Sequence, residues 1–242
     1  MSLLVLMYHR ARADRHGNTP AMLDRHFAHI ARHYRCVLPG DVLKPRALNV
    51  CLTFDDGYFD FYAVVFPLLK KHGLRALLAV PTAVVHAACE LAPADRLAAP
   101  ADVNGPPSND GGFCTWPELR EMAGSKIVTI AGHGFTHVRL DRPEVDLHRE
   151  IAVSQSLLST RLGRSVDSFV FPFGRFSDDA VRKVRQSYRY LFRIGGADND
   201  GWSERMIYRV DADNLTGPAA VFSPRRRTLY RARFYWNRIR GR

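Results

Sequence analysis

Val50-Cys51-Leu52-Thr53-Phe54-Asp55-Asp56-Gly57 is an apolar run that ends in two adjacent carboxylates and a glycine. In α/β folds the C-terminal ends of strands are where active sites are built. Neighbouring residues on a strand point to opposite sides, so two working carboxylates require the chain to turn here. Gly57 permits that turn. Taken alone, Asp-Asp-Gly can equally be a plain turn that closes a strand.

Working outward, similar short apolar runs recur at 3–8, 76–81, 127–131, 168–171, 190–194 and 207–210. Between them, apolar residues at helical spacing predict helices near 23–34, 59–72, 116–123, 142–162 and 177–187. Leu147, Ile151, Ser154 and Leu158 mark the inner face of the longest, with Asp146, Arg149, Glu150 and Arg161 on its solvated side. Seven strands alternating with helices predict repeated βα units closed into a barrel. The stretch 83–112, rich in Ala, Pro, Gly and Asn, reads as a long loop with one short helix, and loops of that length are usually functional.

A hydrophobic fraction of 46% with 24% charged residues suffices for a large core and excludes a disordered or fibrous chain. The net charge of +11 favours an anionic partner such as phosphate, nucleic acid or an acidic membrane. Cys36, Cys51, Cys89 and Cys114 form no CxxC pair and read as reduced thiols. The apolar start, Met-Ser-Leu-Leu-Val-Leu-Met-Tyr-His-Arg, is too short for a secretory leader, so a cytoplasmic location is expected.

A second constellation follows the run at 127–131, where Gly132-His133-Gly134-Phe135-Thr136-His137 repeats the pattern of strand, glycine and polar groups. Histidines four apart meet on one face of a helical turn and can reach one ion. With Asp56 they make a His-His-Asp set, which leaves positions open for water and substrate.

These motifs resemble those of the NodB-homology polysaccharide deacetylases, carbohydrate esterase family four. Thr53–Gly57 matches the Thr-Phe-Asp-Asp-Gly motif, His133–His137 the His-x-x-x-His motif, and Phe169-Val-Phe-Pro172-Phe173-Gly174 the third, in the right order. The resemblance covers roughly 3–210 and implies a distorted seven-stranded (β/α) barrel over residues 1–215, an α/β fold. It also implies Asp55 as general base and Asp56, His133 and His137 as ligands of a divalent metal, zinc by default, with nickel, cobalt or iron able to replace it. Backbone N–H groups near Tyr58 or Phe173 are then expected to face the oxyanion.

The chain departs from the family pattern twice. Val170 and Phe171 stand where many members carry an arginine that orients the base, and Arg209 of Tyr-Arg-Val-Asp211 is the candidate substitute. No histidine follows His148, so the late Leu-x-His that usually supplies the acid is absent. His9, at the end of the first run, is the candidate acid, and its Tyr-His setting resembles the branch that deacetylates poly-N-acetylglucosamine. The other histidines, His26 among them, show no partner pattern.

Residues 216–242 form a separate basic segment, in which eight arginines from Arg225 to Arg242 alternate with Leu229, Tyr230, Phe234, Tyr235, Trp236 and Ile239. It reads as an interfacial helix with apolar anchors, bringing the protein to the inner face of an anionic membrane. The expected substrate is therefore an N-acetylgalactosamine or N-acetylglucosamine on undecaprenyl phosphate, for lipid A or envelope modification. A polysaccharide, or a formyl group in place of acetyl, fits the same residues. A family member without activity and a nucleic-acid-binding protein are the other classes weighed. No module in the body supports the last, and nucleic acid is not expected as a partner.

Overall fold

Strand β1 (Ser2–Tyr8) is the seam of a closed parallel barrel, paired on one side with β3 (Leu48–Phe54) and on the other with β8 (Ile207–Asp211). The computed structural model describes residues 2–105, 111–202 and 206–240. The ring runs from β3 through β4 (Ala76–Val80), β5 (Val128–Gly132), β6 (Ser168–Val170) and β7 (Tyr190–Ile194) to β8. The two-residue strand β2 (Arg35–Cys36) adds to the outer end of β3, beside residues that β4 does not reach. Sequence periodicity does not reveal β2, because two residues cannot show an alternation.

The strand alternation divides the apolar residues into two layers. Leu3, Val5, Cys51, Leu77, Ala131 and Phe192 fill the barrel. Their neighbours Leu4, Leu6, Leu52, Leu78 and Ile130 face the helices. Those helices are α1 (Pro20–His33), α2 (Phe66–His72), α3 (Pro93–Ala98), α4 (Trp116–Gly124), α5 (Ser154–Leu162) and α6 (Asp178–Ser187). Continuing the inward alternation past the strand ends brings His9, Asp55, His133 and, within β8, Arg209 to the mouth of the barrel.

The helix expected over 142–162 is shorter: a π-helical stretch, His148–Val153, runs into α5. Glu150 corrects the sequence reading, because it is buried rather than solvated. Three donors explain this: it accepts hydrogen bonds from the N–H groups of Phe135 and Thr136 and from the Thr136 hydroxyl, and Gly134 passes so close that a β-carbon there would lie 2.8 Å from its carboxylate.

The basic segment contains α7 (Pro224–Ile239), whose Tyr230 and Phe234 are buried. Phe234 therefore docks the helix onto Ala197 and Tyr208 of the body and is not an outward anchor. Arg227 and Arg231 approach the buried Asp198, at 3.8 Å each, and Arg238 pairs with Asp200. No helix among the described residues is long and apolar enough to cross a membrane.

Candidate active site

Asp56 and Gly57 both take left-handed backbone conformations, with φ of 73° and 67°. Aspartate tolerates that region better than most residues, and glycine enters it freely. This double turn separates the two carboxylates that a straight strand end would have left on opposite faces. Asp55 turns towards β8 and Asp56 towards the turn after β5.

Asp56 meets His133 and His137, whose Nε2 atoms lie 3.5 and 3.4 Å from its Oδ1. One ligand atom from each of the three residues falls within 4.8 Å of the others, and all three side chains are buried. The donor set fits a cation. His133 Nδ1 lies 2.7 Å from the Val170 carbonyl and His137 Nδ1 lies 2.9 Å from the Asn104 amide oxygen. Both of those partners accept, so each Nδ1 carries the proton and each Nε2 presents a lone pair. Burial pushes His137 down to about 4, keeping it neutral. Asp56 Oδ1 is buried without a hydrogen-bond donor among the described residues. Three lone-pair atoms converging without a proton between them match the chemistry of a divalent-metal site.

Asp55 is gripped by Arg209, whose two terminal nitrogens lie 2.7 and 2.8 Å from its two oxygens. Burial alone would raise the Asp55 pKa, but the Arg209 charge more than offsets it, so the carboxylate stays ionised. Arg209 also donates to the Thr53 hydroxyl, which in turn donates to the Leu6 carbonyl.

His9 Nε2 is 3.8 Å from Asp55 Oδ2, and His9 Nδ1 is 2.6 Å from Asp213 Oδ2. Burial works against the charged imidazole, but the Asp213 hydrogen bond and the charges of Asp55 and Asp56 prevail, so its pKa is pushed up to about 9. Asp213 was not legible as a site residue. Asp211, which was a candidate, lies exposed at the strand end and accepts from the Asp213 N–H, shaping the turn that presents Asp213.

The remaining candidates form the rim. Tyr58 is buried, stacks on Phe113 at 5.2 Å and lies under the Arg10 guanidinium. Burial and the Asp56 charge raise its hydroxyl pKa. Pro172–Gly174 is a tight turn after β6 in which Phe173 has φ of 57° and is exposed, its ring 4.7 Å from that of His137. Sequence reasoning missed Asn104, which lies in a stretch without periodicity, and put Glu150 on the solvated side of a helix where nothing in the sequence announces its partners.

A family model described as polysaccharide deacetylase matches residues 44–191. Among curated proteins, YxkH of Bacillus subtilis is 24% identical over 147 residues, 60% of this chain and 43% of that one. The poly-beta-1,6-N-acetyl-D-glucosamine N-deacetylase of Escherichia coli K12 is 37% identical over 84 residues, 35% of this chain and 11% of that one. The chain thus spans less than half the length of either relative. Among solved structures, a de-N-acetylase from Aggregatibacter actinomycetemcomitans superposes with a TM-score of 0.74 at 21% identity, covering 92% of this chain and 99% of that one. At that identity the match supports the barrel fold.

Proposed function

The chain belongs to the polysaccharide deacetylase family, and from that premise we propose that it is a metal-dependent N-deacetylase acting on the acetamido group of an N-acetylhexosamine. The observation that carries this reading is the pairing of a three-ligand Asp56–His133–His137 cluster with Asp55, held by Arg209, and His9, held by Asp213, at one barrel mouth.

Asp56, His133 and His137 would hold the ion. When bound, a divalent cation, zinc by default, lowers the pKa of water from about 15.7 towards about 7 and polarises the amide oxygen. Asp55, fixed by Arg209, takes the proton of the attacking water. His9, kept protonated by Asp213, gives a proton to the departing amine. A backbone N–H near Tyr58 or Phe173 would face the developing oxyanion.

We further propose a lipid-linked substrate, such as an amino sugar on undecaprenyl phosphate, met at the inner face of a membrane. The outer face of α7 supports this. Leu229, Tyr235, Trp236 and Ile239 are 46%, 52%, 55% and 82% exposed, opposite the docked Tyr230 and Phe234 and flanked by arginines. The match to the Escherichia coli enzyme favours a second reading, a poly-N-acetylglucosamine substrate.

The deciding experiment offers purified protein, with and without chelator, undecaprenyl-phosphate N-acetylhexosamine and soluble N-acetylglucosamine oligomers, with mass spectrometry for acetyl loss. Chelator-sensitive loss from the lipid-linked sugar alone is expected. Loss from the oligomers alone selects the second reading, and loss from neither rejects the deacetylase assignment for these substrates.

A further inference from the structure

We propose that Asn104 is a positioning residue of the metal site, and that through it the turn at residues 102–105 sets the affinity of that site. The inference rests on reading Asp56, His133 and His137 as ligands.

The two imidazoles are held by different kinds of support. His133 Nδ1 bonds the Val170 carbonyl, which belongs to strand β6 and is as fixed as the barrel. His137 Nδ1 bonds the Asn104 side chain, 33 residues upstream and outside the barrel. Only the amide oxygen of Asn104 leaves the His137 Nε2 lone pair facing Asp56; the opposite amide orientation would put a proton there. Partners of this kind orient a ligand and raise its basicity.

Asn104 is in turn held by a small folded unit. Asp102 accepts from the Asn104 N–H at 2.9 Å and from the Gly105 N–H at 3.1 Å, forming a tight turn. Val103, between them, is buried with Tyr58, Val84 and Phe113. Arg96 of α3, itself buried, donates to the carbonyls of Gly111 and Phe113, pairs with Glu118 of α4 and lies 3.5 Å over the Phe59 ring. The same segment reaches the Asp55-Asp56-Gly57 turn, because the Cys114 N–H donates to the Gly57 carbonyl at 2.8 Å. Residues 104 and 114 therefore reach His137 and the Asp56 turn respectively.

Linkage makes the consequence reciprocal: if this segment supports the ion, the ion must hold the segment. A purely structural tie would stabilise the loop without changing the ligand set.

The test uses the 242-residue chain stripped of metal and titrated with zinc against a chromophoric chelator, with amide exchange followed in peptides covering 99–105. Asn104→Ala is expected to bind zinc roughly 10- to 100-fold more weakly than wild type. Asn104→Asp, which keeps an acceptor, should bind as tightly or more so. Zinc should slow exchange at 102–105 in the wild type and not in Asn104→Ala. Zinc affinity in Asn104→Ala within about twofold of wild type, or equal losses in both variants, overturns the inference. Wild-type protein that takes up no zinc overturns it together with the ligand reading beneath it. Because activity is not the readout, an unsuitable substrate cannot produce either result.

Discussion

The guanidinium of Arg209 closes on both oxygens of Asp55, at 2.7 and 2.8 Å, from a position 154 residues further along the chain. Both side chains are buried at the barrel mouth. The planar fork fixes the direction of the carboxylate as well as its charge.

Arg209→Lys keeps a positive charge and loses the fork. Lysine cannot grip both oxygens, so kcat/KM is expected to fall by roughly 10- to 100-fold, the scale of a small misplacement of a reacting group. In the proposed mechanism Asp55 is the ionised base, and the Arg209 charge holds its pKa down against burial. Weakening that hold moves the acid limb of the kcat/KM profile to higher pH. A variant whose acid limb stays with the wild type contradicts the assigned role. Arg209→Ala, which strands a buried carboxylate, should cost about 3–5 kcal/mol of stability.

His9→Ala should keep its full metal content while deacetylation falls about 10²- to 10⁴-fold, the usual contribution of a general acid. The acid must be protonated, and with a pKa of about 9 its loss marks the basic limb of kcat. Asp213→Asn removes the strongest of the interactions that raise it, so that limb should shift towards lower pH. Near-normal turnover in His9→Ala sinks the assignment.

Stability should fall with acid through His26. Its Nδ1–H donates to the Pro218 carbonyl at 2.6 Å and its Nε2 accepts from the Tyr8 hydroxyl at 2.7 Å, so both nitrogens are satisfied only in the neutral ring. Burial lowers its pKa from 6.5 to about 4. Above the unfolded value both states are neutral and the full stability is present. As pH drops towards 4 the unfolded chain takes up a proton that the folded one refuses, at a cost approaching roughly 3 kcal/mol. Urea midpoints at about pH 7.5 and about pH 4.5 should diverge more in the wild type than in His26→Gln. Equal pH dependence in the two proteins rejects this account.

For α7 the informative variants are on its outer face. Removing the whole segment would also strip Tyr230 and Phe234 from the body, confusing membrane binding with unfolding. A Leu229→Ser, Trp236→Ser, Ile239→Ser triple variant should keep its melting temperature and lose flotation with anionic vesicles. Wild-type flotation should weaken with salt, because each basic residue near the surface contributes about 1 kcal/mol of screened attraction. Wild-type protein that ignores anionic vesicles counts against the lipid-linked reading.

Much of this was legible from the chain alone. The seven barrel strands announce themselves because both faces are buried, which produces apolar runs, and Asp55, Asp56, His133 and His137 sit where those runs end. The supports of these residues were hidden for a common reason. A carboxylate on a helix is normally solvated; the N–H groups of Phe135 and Thr136 and the Thr136 hydroxyl, displaced 14 to 15 residues, make the burial of Glu150 tolerable. Asn104 lies in a stretch without periodicity, and Asp213 in a turn. Phe234 was misassigned because arginines surround it; its i,i+4 partner Tyr230 was the available clue to an inward face.

The position of β1 as the seam has a bearing on synthesis. His9 follows β1 and pairs with Asp213, while Asp55 waits for Arg209 on β8. A nascent chain emerging from the ribosome therefore carries Asp56, His133 and His137 by residue 137, but Asp55 stays without Arg209 and His9 without Asp213 until β8 and the turn after it have been made. Vectorial translation thus leaves the partners of Asp55 and His9, and the closure of the barrel, for last.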